Sequence, residues 1–274
     1  MIGCLLLFSC LKMNLEDASL LMGGPRIKFS LRKDEEEQGR EILKKLETAL
    51  LPAAASLSSA LAEVERDGAA PVLPDGKVGG NGAVLLGDLD CPALLVSRSG
   101  KEKGHILRVP DDFALVTSFD RERWEAVYVP CGSDQTVKPT SDTPLLWAAL
   151  VSSKKKGEGD AKDSRTAPPA RFALHGHALE RGSRGIHIPI SDEETLFSTP
   201  EDVAALERLF DSAGYFPLHR TFIRRGHGFF ILGEGSSEAL ETLRTVVVPQ
   251  IAPAPSAATP PAPVAAEAGQ QSWQ

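Results

Sequence analysis

Apolar positions recur with helical spacing in four parts of the chain. The first, residues 34–67, contains Pro52 and predicts two helices or one kinked helix. The stretch 198–214 predicts a helix with Ser198 or Thr199 as N-cap and Pro200 at the first helical position. Two more helices are predicted within 140–153, which opens with a capping cluster "TSDT", and within 236–252.

Short apolar runs between these segments are typical of strands. Two longer runs, 170–180 ("ARFALHGHALE") and 221–233 ("TFIRRGHGFFILG"), also predict one strand each. Long helices do not separate the early runs, which favours antiparallel pairing. The predicted fold class is α/β with a mostly antiparallel, mixed sheet. The early runs are 83–86, 93–97, 105–109, 114–117 and 126–129.

Polar and low-complexity segments divide the chain. Residues 154–170 ("KKKGEGDAKDSRTAPPA") are charged and contain Gly and Pro, which predicts an exposed loop. The Ala/Pro-rich tail 251–274 cannot form a core and is expected to be disordered. We therefore predict one α/β domain at 34–250, preceded by an N-terminal extension at 1–33.

Charge and cysteine content narrow the choice of partners and compartment. The net charge is −7 and no long basic stripe is present, which excludes nucleic acid as the main partner. The apolar start lacks a basic segment and is too short to span a bilayer, so no membrane partner is expected; a weak signal-like segment or a misplaced start codon is the alternative interpretation. The cysteines lack metal-like spacing and are interpreted as thiols of a cytoplasmic protein: Cys4, Cys10, Cys91 and Cys131.

Three of the six histidines are candidates for metal ligands. His175 and His177 are two residues apart in a predicted strand, so both imidazoles would point to the same face. Such a pair can arise by chance, and a solvated sheet face is the alternative interpretation. His227, between Gly226 and Gly228, provides a third imidazole. Three imidazoles with an open position describe a catalytic zinc site.

A carboxylate is needed to complete such a site or to move protons, and Asp142 is the best candidate. It lies at the start of a predicted helix, where its side chain can project into a cleft. The alternative is an ordinary N-cap or first-turn carboxylate. His105, His187 and His219 lack a comparable setting and are interpreted as surface or packing residues.

Taken in order, six stretches resemble the class II aldolase/adducin head family. Its pattern has a Gly-Asn turn, a Ser-Gly turn, a helix start of the Lys-Pro-Ser-Ser-Glu type, His-x-His and a late His-Gly. The resemblance covers roughly residues 38–248. The matching stretches are "GGNGAV" at 79–84, "ALLVSRSG" at 93–100, "PDDFALVTSFD" at 110–120, "KPTSDTPLLWAAL" at 138–150, "FALHGHALE" at 172–180 and "FIRRGHGFFILGEGSSEAL" at 222–240.

The resemblance implies a three-layer αβα fold, a homotetramer and one Zn²⁺ per subunit, or another divalent metal. His175, His177 and His227 fall on the zinc-binding histidines. Asp142 falls where the aldolases carry a catalytic Glu and where related epimerases carry a metal-binding Asp. The positions that hold a substrate phosphate in the family correspond to Gly80, Asn81, Ser99, Gly100, Thr140 and Ser141.

Three positions depart from the family pattern. Gly82 replaces a small hydroxyl residue and removes one phosphate donor, whereas Arg98 adds a cation beside the same pocket. Leu146 stands where a histidine is often found in the helix after the acid. These departures leave the identity of the substrate open.

The sequence therefore favours a zinc-dependent lyase that acts on a small, phosphorylated, sugar-like carbonyl substrate through a metal-stabilised enediolate. Because Asp is one methylene shorter than Glu, metal ligation is favoured over distant proton transfer, and an epimerase or dehydratase reaction is the close alternative. A non-catalytic adducin-like assembly domain is the rival from another class. A dinucleotide site at "GGNGAVLLG" is disfavoured, because the full glycine spacing and the following helix are missing.

Overall fold

The computed structural model describes residues 26–34, 37–87, 91–152 and 169–251 of the 274-residue chain. A single sheet of eight strands organises these residues. The strands are β1 Ser30–Lys33, β2 Gly80–Leu85, β3 Leu94–Ser97, β4 Phe113–Asp120, β5 Glu125–Pro130, β6 Phe172–Gly176, β7 Thr221–Arg224 and β8 Gly228–Gly233.

The spatial order of the strands is β1-β5-β4-β3-β2-β6-β8-β7. Every pair is antiparallel except β1 with β5, which is parallel. The predicted mostly antiparallel, mixed sheet is therefore confirmed. Because β2 and β8 flank β6, the centre of the sheet brings together residues that are far apart in sequence.

Helices cover both faces of the sheet. The helix α1 is one continuous element with Pro52 inside it, not two helices. Thr199, not Ser198, caps α3: its hydroxyl accepts from the backbone N–H of Asp202. The helices are α1 Glu37–Arg66, α2 Thr143–Trp147 with a π-helical continuation Ala148–Ser152, α3 Pro200–Ala213, and α4 Ser236–Thr242 followed by Leu243–Val247 and Val248–Gln250.

Two hydrophobic cores separate the layers. On one face, α2 and α3 pack over strand residues that include Ala173, Phe222 and Phe230. On the other face, α1 and α4 pack over the alternate positions, such as Leu174 and Ile231. This alternation follows from the two-residue period of strands and gives the predicted three-layer αβα arrangement.

Three sequence-based expectations differ from the structure. The run 105–109 forms no strand: Asp112 Oδ2 accepts from the backbone N–H of Arg108 at 2.8 Å, and the Asp112 N–H donates to the Arg108 carbonyl. The run 221–233 forms two strands, β7 and β8, joined by a turn that contains His227. The sheet begins at Ser30, inside the segment assigned to the 1–33 extension.

Several expectations fall on residues outside the described ranges: residues 1–25, most of the 154–170 loop, and the tail beyond 251. Within the described ranges, Cys91 and Cys131 form no disulfide, and burial raises the pKa of the Cys131 thiol to about 12. No helix in those ranges is both long and apolar enough to cross a membrane.

The buried Asp112 carboxylate holds the segment between β3 and β4. Arg98 Nη1 donates to Asp112 Oδ1 at 2.8 Å, Arg108 Nη2 to the same oxygen at 3.1 Å, and His105 Nε2 lies 2.9 Å from Oδ2. Burial alone would raise the pKa of Asp112, but the hydrogen bonds from Arg108, His105 and Arg98 outweigh it and hold the pKa far below its ordinary value.

We predict that Asp112→Asn lowers the free energy of unfolding at pH 7 by about 2–4 kcal/mol, because it removes one partner of a buried charge network. Since the pKa of Asp112 is depressed in the folded protein, this difference is present at pH above about 4 and shrinks as the pH falls further. Urea titrations at several pH values measure it. Asp111→Asn is the control and should cost less than about 1 kcal/mol; equal losses for both variants would contradict the prediction.

Candidate metal centre

His175 projects from β6 into the centre of one sheet face. Its neighbours in the strand register are Asn81 on β2 and Phe230 on β8, so the three side chains form one row. The imidazole stacks on the Phe230 ring, with centroids 4.2 Å apart. Nδ1 donates to the Phe229 carbonyl at 2.8 Å, which leaves Nε2 with an available lone pair.

His177 lies one residue beyond the end of β6. Its backbone N–H donates to the Gly79 carbonyl at 2.9 Å, which continues the pairing with the start of β2. Its Nδ1 is 3.5 Å from Glu180 Oε1. A Cβ at Gly79 would lie 2.9 Å from Cγ of His177, so a glycine at 79 lets the imidazole sit against the backbone.

His227 occupies the turn between β7 and β8. Its N–H donates to the Arg224 carbonyl at 3.0 Å. Gly228 has φ of 133°, and a Cβ there would lie 2.2 Å from the Gly176 carbonyl oxygen. The glycine at 228 therefore permits the close approach of the turn to the end of β6, which brings His227 to the other two histidines.

Asp142 occupies the N-cap position of α2, but its side chain forms no capping hydrogen bond. Its Oδ1 lies 3.2 Å from Nε2 of His227, and its Oδ2 lies 3.5 Å from Nε2 of His175. The Asn81 amide donates to Oδ2. Asp142 therefore lies at the cap position without capping the helix through its side chain, and its carboxylate is directed at the histidines.

The four side chains form a compact cluster. The three imidazole centroids lie 4.7–5.1 Å from one another. One ligand atom from each of Asp142, His175, His177 and His227 lies within 4.8 Å of the others. The Nε2 atoms of His175 and His227 and Oδ1 of Asp142 are buried without a hydrogen-bond partner. Nitrogen and carboxylate donors in this number fit zinc or another divalent transition metal.

The electrostatics of the cluster also fit a cation. Burial would raise the pKa of Asp142, but His227 and His175 outweigh it and hold the pKa far below its ordinary value. Burial lowers the pKa of His175 to about 3, against the attraction of Asp142. Burial also opposes the charge of His227, but Asp142 and Asp202 raise its pKa to about 10. The site therefore attracts positive charge, which a divalent cation would supply in place of a proton.

Two buried charged residues, Asp202 and Arg224, lie behind His227. They were not identified from the sequence. His227 Nδ1 lies 3.4 Å from Oδ2 of Asp202, on α3. Arg224 Nε donates to Asp202 Oδ1 at 2.9 Å, and both side chains are fully buried. A carboxylate behind a ligating histidine fixes the ring and raises its basicity. The signal in the sequence is an arginine three residues before His227 in an apolar strand.

The candidate phosphate-binding residues adjoin the cluster. Gly80, Asn81, Gly100, Thr140 and Ser141 line one small cavity together with Asp142 and His177. Ser99 is not among the described residues that line it. The side-chain amide nitrogen of Asn81 donates to Oδ2 of Asp142. Three cations also line the cavity: Arg26, Arg98 and Lys101.

Arg26 and Lys101 were not identified from the sequence. Arg26 donates from Nε and Nη2 to the two carboxylate oxygens of Asp75, at 2.5 and 3.0 Å. The buried Lys101 ammonium donates to the Glu65 carboxylate. Arg98 was predicted as a cation beside this pocket, and Asp112 holds it there. Three cationic side chains, each paired with a carboxylate, therefore line the cavity in addition to the glycine and hydroxyl residues.

Comparisons with known proteins were made for sequence and for fold. No family model matches the chain. A protein named methylthioribulose-1-phosphate dehydratase, from Yersinia enterocolitica, is 29% identical over 172 residues, which is 59% of this chain and 74% of that protein.

Two solved structures illustrate the similarity in fold. L-fuculose 1-phosphate aldolase has 15% identity and a TM-score of 0.41, covering 81% of this chain and 84% of that one. An aldolase II superfamily protein from Pseudomonas syringae has 11% identity and a TM-score of 0.46, covering 71% of each chain.

We predict that Asp202→Asn weakens the binding of a divalent ion by about 10–100-fold, because the carboxylate behind His227 is lost. Isothermal titration of the apoprotein with Zn²⁺ measures this. The double variant Asp202→Asn with Arg224→Met removes both charges of the buried pair, so that loss of binding can be separated from the cost of an unpaired arginine. Arg225→Met is the control. Unchanged affinity in both Asp202 variants, with the fold intact by circular dichroism, would contradict the role of Asp202.

Proposed function

We propose that the chain is a divalent-metal-dependent enzyme of the class II aldolase superfamily, acting on a small carbonyl substrate that is phosphorylated and sugar-like. The observation that carries the proposal is the buried cluster of Asp142, His175, His177 and His227, whose ligand atoms lie within 4.8 Å of one another. Without a bound ion, a cluster of this kind lowers the stability of the folded protein, because buried nitrogen and carboxylate groups need hydrogen-bond partners or a metal ion.

His175, His177 and His227 would hold the metal, for which we propose zinc at one ion per subunit. When bound, the ion supplies a Lewis acid that polarises a carbonyl oxygen. The protein prepares the ligands: the Phe229 carbonyl fixes the tautomer of His175, and Asp202 is placed to do the same for His227. Phe230 and Phe197 keep the rings in contact with apolar surface, which limits the access of water.

Asp142 would act as ligand or as proton acceptor through its carboxylate oxygens. Its low pKa keeps it ionised at neutral pH, so it can take a proton from a carbon next to the carbonyl more readily than it can give one. The amide of Asn81 donates to Oδ2, which leaves Oδ1, without a hydrogen-bond partner, as the atom available to substrate or metal.

The adjoining cavity would take the phosphate group. Thr140 and Ser141 contribute hydroxyls, Gly80 and Gly100 contribute open backbone, and Arg98 contributes positive charge. Because this cavity shares Asp142 and His177 with the cluster, a phosphate bound there would place the carbonyl of a short substrate near the metal. We also propose a homo-oligomer, and by resemblance a tetramer.

A dehydratase is the second candidate, favoured by the name of the Yersinia enterocolitica protein that is 29% identical to this chain. Both reactions begin with removal of a proton or cleavage of a carbon bond next to a polarised carbonyl, so the same cluster serves either. They differ in products: an aldolase releases two carbonyl compounds, whereas a dehydratase releases water and one product.

We predict that the purified apoprotein takes up one divalent ion per chain. The variants His175→Ala, His177→Ala and His227→Ala should each weaken binding by about 100-fold or more, because each removes a ligand from a three-histidine set. Elemental analysis and calorimetric titration measure stoichiometry and affinity.

His187→Ala, which removes an exposed histidine outside the cluster, is the matched control. Its metal binding should equal that of the unaltered protein. If the unaltered protein takes up no divalent ion, the proposed enzyme is wrong and the adducin-type assembly domain becomes the leading hypothesis.

We predict that the metal-loaded protein converts a phosphorylated carbonyl sugar and that Asp142→Asn lowers kcat by about 100-fold or more, because the amide cannot accept the proton. Mass spectrometry of the products separates aldol cleavage from loss of water. The unphosphorylated counterpart of each substrate tests the phosphate cavity, and Asp192→Asn is the control variant on an exposed loop. Full activity of Asp142→Asn would contradict the role of this carboxylate.

A further inference from the structure

A lysine from the segment before β1 lies beside the metal centre. Lys28 Nζ is 3.6 Å from the centroid of the Phe197 ring, a cation–π contact. The Phe197 ring is in turn 5.4 Å from the imidazole of His227 and 6.5 Å from that of His177. The ammonium group and two candidate metal ligands therefore lie near the same aromatic ring.

The backbone on the lysine side of this contact is held firmly. Phe29, the next residue, is buried and packs edge-to-face against Phe119. Ser30 begins β1 and donates to the Trp124 carbonyl at 2.9 Å. The position of Lys28 is thus fixed by the pairing of β1 with β5 and by a buried aromatic neighbour.

The aromatic side of the contact is also held. Ser198, directly after Phe197, is fully buried. Its hydroxyl donates to the Ser141 carbonyl at 2.5 Å, and its N–H donates to Asp202 Oδ2 at 3.0 Å. Trp124 Nε1 donates to the Ser198 carbonyl at 3.2 Å. Through its neighbour Ser198, Phe197 is therefore held next to Ser141 and Asp202.

The positive charge of Lys28 does not help to bind the metal. A positive charge near a divalent cation is repulsive and weakens metal binding. Lys28 is instead within electrostatic reach of Asp142 and Asp202, and partial burial lowers its pKa against their attraction. A partly desolvated ammonium beside a metal centre is suited to a negatively charged ligand that sits between them.

We propose that Lys28 is a specificity-determining residue of the metal centre: its ammonium, held over Phe197, binds a negatively charged oxygen of the small ligand that occupies the centre. This inference rests on the proposed function, since it needs the metal in place. It concerns the metal end of the ligand, because Lys28 is not among the described residues that line the candidate phosphate cavity.

The test uses two small metal ligands that differ in charge, oxalate and imidazole. We expect Lys28→Met, in the zinc-loaded protein, to weaken oxalate binding about tenfold, because one charge-assisted hydrogen bond is lost. Imidazole is neutral, so its dissociation constant should change by less than about twofold. Lys28→Arg should keep the oxalate affinity within about threefold. Calorimetric titration of each zinc-loaded variant gives these values.

Lys33→Met, on β1, is the matched control and should leave both dissociation constants unchanged. Lys28→Gln replaces Lys28→Met if the latter fails to fold. Equal oxalate affinity in the unaltered protein and the Lys28 variant overturns this inference alone. Equal weakening of oxalate and imidazole also overturns it, because Lys28 would then be structural. Failure of the unaltered protein to bind zinc overturns the proposed function and, with it, this inference.

Discussion

The buried Asp142 carboxylate is the group on which the account of this protein depends. A carboxylate taken out of water needs hydrogen bonds or positive charge, and the amide of Asn81 supplies one hydrogen bond only. The nearby Asp202 carboxylate is neutralised by the buried guanidinium of Arg224. Asp142 faces His175 and His227 instead, and these groups carry positive charge only when protonated or bound to a metal. The arrangement therefore favours a cation among the three imidazoles.

The fold brings these groups together through the register of three neighbouring strands. β2, β6 and β8 place Asn81, His175 and Phe230 in one row across the sheet. The turn before β8 adds His227, and the loop before α2 adds Asp142 from the layer above. The same loop is bound to the end of β3, where Thr140 N–H donates to the Ser97 carbonyl at 3.0 Å. The candidate phosphate cavity and the metal centre thus share one set of anchored loops.

Local patterns in the sequence were sufficient for the helices and for most strands. They also made His175, His177, His227 and Asp142 candidates, which the structure brings together. The Thr199-Pro200 start of α3 is a local signal, and the run from Phe172 to Leu174 is apolar on both faces, as is typical of a central strand. β1 carries the polar sequence "SLRK" at the edge of the sheet, so it gives no hydrophobic signal. Its assignment requires pairing with β5, about 95 positions later.

The charged residues around the centre could not be predicted because their partners are distant in sequence. Asp202 can be recognised as a partner of His227 only once α3 is packed over β7. Lys28 can be recognised as a neighbour of the centre only once β1 is paired with β5. The most direct measurement of the central claim is anomalous scattering at the zinc edge from a crystal of the zinc-loaded protein. The account predicts one peak within bonding distance of His175, His177 and His227, beside Asp142. A peak elsewhere in the chain, or none, would contradict it.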